Sequence, residues 1–93
     1  MNVRDTKFCV IDLETTGLDL RRDEIVAFAS VPMKGMRILV NNSYYTLIKP
    51  GKYKLKTMKY HGISQYDLKN APTFEEVSDK ILENLDGIIV GHA

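Results

Sequence analysis

Ninety-three residues, 44% hydrophobic and 27% charged, make at most one domain with a thin core. Thirteen basic against twelve acidic residues leave a net charge of +1, so overall charge does not announce a nucleic-acid binder. The first residues hold no apolar signal core, and no run approaches the roughly 18 apolar residues of a membrane span, which points to a cytoplasmic protein with no membrane partner.

In chain order, Phe8-Cys9-Val10-Ile11 predicts a buried strand, with the lone cysteine as a small core residue. Directly behind it stands Asp12-Leu13-Glu14-Thr15-Thr16-Gly17-Leu18. Residues two apart on a strand share a face, so Asp12 and Glu14 would present two carboxylates side by side. Their repulsion pushes one toward protonation, whereas a divalent cation favours both ionised forms. Hard oxygen donors at a strand end imply Mg²⁺ or Mn²⁺. Gly17 lets the chain turn where a side chain would obstruct the turn or a ligand. Taken alone, two acids near a strand end are as readily a solvated surface pair.

Residues 20–23 form a polar loop, and 24–31 a second strand buried on both faces and ended by Pro32. Lys34-Gly35 turns the chain into a third strand over 36–40, antiparallel to the second. Residues 41–43 turn again, and 44–48 form an extension or a new short strand. After Pro50-Gly51, residues 54–60 predict a short helix closed by His61-Gly62. Lys49, Lys52, Lys54, Lys56 and Lys59 with Tyr53 and Tyr60 suit phosphate contact and base stacking, or simply a solvated lysine face. Ser64-Gln65-Tyr66-Asp67 has capping-box spacing. Thr73 as N-cap with Glu76 three residues on starts an amphipathic helix that gathers Phe74, Val77, Ile81, Leu82 and Leu85 and is stopped by Gly87. Residues 88–90 return as a buried strand carrying Gly91-His92-Ala93 at its carboxyl end, where open α/β sheets place ligands.

The motif from Asp12 to Leu18 resembles the first motif of the DEDD 3′–5′ exonucleases of the proofreading, DEDDh type. A phosphatase of the haloacid dehalogenase type also opens with acids two apart behind a strand, but with Asp where this chain has Glu14. His61-Gly62-Ile63-Ser64 with Asp67, then Ala71-Pro72-Thr73-Phe74, is similar to a second stretch of the proofreading members, and Ile88-Ile89-Val90-Gly91-His92 to the approach to their second motif. The resemblance implies an α/β, ribonuclease H-like fold, truncated to a three-stranded meander, helices and a returning parallel strand. Residues 1–93 would be the amino-terminal part of one exonuclease domain. It also implies Asp12 and Glu14 as catalytic metal ligands, with Thr15, Thr16, Gly17, Leu18, His61 and His92 near the terminal nucleotide. Two Mg²⁺ or Mn²⁺ ions are expected in the complete domain, and single-stranded 3′ ends of DNA or RNA as partner.

The later acidic and histidine motifs of that family have no counterpart before Ala93, where His92 is followed by alanine rather than asparagine. The isolated chain is therefore expected to be inactive. The alternative is a short non-catalytic module that binds nucleic acid or a partner chain. An uncovered edge after Val90 favours association of the chain with itself.

Overall fold

In a computed structural model, the described residues are 2–17, 19, 21–51, 63 and 65–92. They form strands β1 (Lys7–Thr15), β2 (Ile25–Lys34), β3 (Arg37–Ile38), β4 (Tyr44–Leu47) and β5 (Ile88–His92), and helices α1 (Gln65–Lys69) and α2 (Phe74–Glu83). Two 3₁₀ turns, Val3–Asp5 and Val40–Asn42, complete the set. Among the described residues no helix is long and apolar enough to cross a membrane.

The sheet runs β3-β2-β1-β5, with β4 also paired to β2. β2 is antiparallel to β1, β3 and β4, whereas β5 is parallel to β1. The meander and the returning parallel strand are thus as the sequence predicts. The β2–β3 connection is a two-residue loop, Gly35-Met36, between the paired Lys34 and Arg37. Its first position needs positive φ, and Gly35 supplies it at +59°.

Side-chain alternation divides the residues of β1 between the two faces. Ile11 and Leu13 join Phe28, Ile48, Val77 and Ile81 in a core between the sheet and α2, beside Ile25, Tyr44 and Leu85. The other face is covered at one end by α1, whose fully buried Leu68 packs with Val26, Leu47 and Ile63. A β-bulge links these two cores. Glu14 pairs with Ala27 and Thr15 with Ile25, so Val26 is the extra residue of β2. The bulge lets Val26 join Ala27, the partner of Leu47, on the α1 side while Ile25 returns under α2.

Several boundaries depart from the sequence prediction. β1 carries the acidic pair, as its alternation requires, and runs on to Thr15. Pro32 lies inside β2, at the point where its outer edge passes from Tyr44, the partner of Ser30, to Ile38, the partner of Met33. A proline is tolerated there because the ladder on that side is interrupted. β3 is two residues long because the chain winds into the 3₁₀ turn at Val40. α2 ends at Glu83 with Asn84 as its C-cap, and Gly87, at φ +85°, instead turns the chain beside Lys7 into β5. Phe74 and Leu82 stand exposed at the margin of the α2 face. β5 is not buried: Ile88, Ile89 and Val90 are 44%, 46% and 46% exposed, because β5 is the outermost strand and nothing covers it among the described residues. The expected helix over 54–60, most of the lysine and tyrosine cluster, and the Ser64 cap lie outside the described residues.

Candidate functional site

Asp12 and Glu14 sit on the face of β1 opposite α2, since Ile11 and Leu13 between them point into the α2 core. Both are exposed. α1 lies on their side of the sheet: Leu47 pairs with Ala27, which pairs with Glu14, and cross-strand partners share a face. β5 brings its carboxyl end to the same place, with the backbone of His92 in register with Asp12. Three chain segments therefore converge on the two carboxylates: the end of β1, the bulge of β2 and the end of β5.

Beyond Glu14 the chain is held by local hydrogen bonds. The Thr15 hydroxyl donates to the Gly17 carbonyl at 2.7 Å. The Thr16 amide donates to the Glu24 carbonyl at 2.9 Å, extending the β1–β2 ladder past the bulge. The Thr16 hydroxyl donates to Asp23 Oδ1 at 2.6 Å and accepts from the Glu24 amide at 2.9 Å. Glu24 in turn accepts from the Gly51 amide at 3.1 Å, joining the start of β2 to the chain after β4. Thr16 thus has a structural task that its place in the motif does not reveal. Leu18 and His61 lie outside the described residues, and His92 is located by its backbone.

Sequence reasoning placed Asp23 in a polar loop and gave it no part in the site. Its carboxylate is nevertheless the centre of the loop, accepting from Thr16 and, through Oδ2, from the Asp19 amide at 2.8 Å. Gly17 also reads differently in three dimensions. It is absent from the positive-φ residues, so the turn does not demand glycine; instead a Cβ there would lie 2.6 Å from Asp23 Oδ2.

Two exposed carboxylates on one sheet face form a hard donor set that fits a divalent cation keeping water in its other positions. Among the described residues no group of three or more His, Cys, Asp or Glu gathers around a common point.

The exonuclease (RNase_T) family model matches residues 9–93. The chain belongs to the exonuclease family. It is 42% identical over 90 residues to the PolC-type DNA polymerase III of Thermotoga maritima, covering 95% of this chain and 6% of that protein. It is 38% identical over 93 residues to the DNA polymerase III subunit epsilon of Aquifex aeolicus, covering 98% of this chain and 45% of that one. The chain thus spans less than half the length of these curated relatives. Among solved structures, the nuclease domain of 3′hExo, a DEDDh family member bound to rAMP, superposes with a TM-score of 0.62 at 17% identity, over 94% of this chain and 50% of that chain. The α/β fold of this exonuclease-family chain is therefore ribonuclease H-like, and the phosphatase alternative falls away.

Proposed function

We propose that residues 1–93 are the amino-terminal part of a single 3′–5′ exonuclease domain that hydrolyses terminal phosphodiesters at single-stranded 3′ ends of DNA or RNA. The observation that carries this is the common face of Asp12 and Glu14, met by the end of β5 in a chain of the exonuclease family. Asp12 and Glu14 are the ligands for Mg²⁺ or Mn²⁺. When bound, two such ions supply the charge needed for in-line attack by water on a phosphodiester, with release of a nucleoside monophosphate. The chain's own residues bind and orient. Thr15, Thr16, Gly17 and Leu18 line the terminal nucleotide, with His61 and His92 near it and its phosphate. The rAMP held by a nuclease domain of the same fold supports a nucleotide ligand here. Kinship with DNA polymerase III proteins supports a cytoplasmic location.

The isolated chain binds metal weakly and turns over slowly or not at all, because two carboxylates supply few ligands for a pair of ions. The lack of a third ligating side chain among the described residues favours a second reading, a non-catalytic nucleic-acid- or partner-binding module. The half-exposed β5 edge makes a second copy of the chain one such partner. Calorimetric titration with Mn²⁺ tests the assignment: Asp12→Ala and Glu14→Ala should each weaken binding, by about tenfold for a lost charged ligand. Identical isotherms for wild type and the double variant would remove both residues from the site. Mononucleotide release by the 93-residue chain that disappears in Asp12→Ala would overturn the expected inactivity.

A further inference from the structure

One carboxylate organises the chain immediately after Glu14. Asp23 takes hydrogen bonds from Thr16 and Asp19 at once, and Thr16 is locked in both directions to Glu24. The space it occupies is the space that Gly17 leaves empty. A Cβ on residue 17 would stand 2.6, 3.0 and 3.1 Å from Oδ2, Cγ and Oδ1 of Asp23. The carboxylate could move aside only by giving up the Thr16 and Asp19 donors. Backbone conformation does not explain the glycine, since its φ lies outside the left-handed region. Gly17 and Asp23 are thus a matched pair.

We propose that Asp23 is a positioning residue for the nucleotide pocket: seated against Gly17, it holds Thr15, Thr16 and Gly17 in fixed geometry beside Glu14 for a nucleoside monophosphate. A backbone already ordered meets its ligand without a further ordering cost. The inference rests on the exonuclease reading above.

The test is a double-variant cycle in the 93-residue chain, titrated with adenosine 5′-monophosphate and Mg²⁺ and followed by amide NMR shifts at Thr15, Thr16 and Gly17. Gly17→Ala and Asp23→Ala should each weaken binding by about tenfold, the scale of a lost charge-assisted hydrogen bond. The double variant should bind no more weakly than Asp23→Ala, because the added methyl then meets no carboxylate. Binding measured well below every unfolding midpoint separates positioning from stability alone, which would move the midpoint and leave the affinity in place. Losses that multiply in the double variant would mean that Gly17 serves the ligand directly, and would overturn the role of Asp23 while leaving the exonuclease reading intact. No Mg²⁺-dependent binding by wild type would sink both. If Gly17→Ala does not fold, Asp23→Ala alone decides: with no oxygen left to accept from Thr16 and Asp19 it must weaken binding, and unchanged affinity refutes the proposal.

Discussion

Ser30 is the one polar residue buried among the described residues, at 1% exposure. It pairs with Ile11 on one side and Tyr44 on the other, both in the core under α2, and its hydroxyl has no hydrogen-bond partner among the described residues. A buried hydroxyl without a partner costs about 1–3 kcal/mol in lost hydration. Ser30→Ala is therefore expected to raise the unfolding free energy by about 1 kcal/mol in urea denaturation; a decrease would show that the hydroxyl is bonded. Single residues were unevenly legible in the sequence. Cys9 was readable as a core residue because its neighbours are apolar, but its thiol's donation to the Asn84 carbonyl at 3.0 Å links positions far apart in the chain. That Asp12 and Glu14 share a face was readable from strand alternation. Asp23 was not, because its partners are set by a loop whose shape no periodicity announces.

At the scale of elements, α2 was the most legible, since its start is written locally. Thr73 accepts from the Glu76 amide, and the Glu76 carboxylate accepts from the Thr73 amide at 3.0 Å. Thr73→Ala should cost about 1 kcal/mol of stability at neutral pH, as loss of a helix N-cap does. The Thr73 backbone and hydroxyl bonds, with Lys49 nearby, hold the Glu76 carboxyl below its ordinary 4.5. A lowered folded value means that the stabilisation is complete above the unfolded value and disappears as pH falls through the lowered one. The gap between wild type and Thr73→Ala in urea unfolding should accordingly narrow from neutral pH to about pH 3; a constant gap would mean that the box does not depend on charge. The end of the same helix was misjudged because Gly87 is conspicuous, whereas Asn84 caps through ordinary helical geometry. The bulge at Val26 had no signature at all: one extra residue in a run of apolar ones changes no pattern, yet it decides which side of the sheet each neighbour serves.

At the scale of the whole molecule, the described residues leave one edge of the sheet uncovered. Ile88, Ile89 and Val90 are half exposed on the outermost strand. An apolar groove of about 330 Å³ also opens between the sheet and α2, lined by Ile11, Leu13, Ile25, Phe74, Ile81 and Leu82. An edge strand with no charged residue is a template for pairing, so the purified chain should associate. Light scattering from micromolar to millimolar concentration should show species larger than a monomer, and Val90→Lys should disperse them; a monomer throughout would rule this out. The register of the sheet carries a kinetic consequence as well. β1 and β2 meet across a short connection, but Phe8 pairs with Ile88, a separation of 88 − 8 = 80 residues. Closing so long a loop is slow compared with forming a hairpin. On a ribosome, Asp12 and Glu14 can be set on a β1–β2 pair while the strand that flanks Asp12 has yet to be made, so the acidic pair waits for residues 88–92 before that side of its surroundings exists.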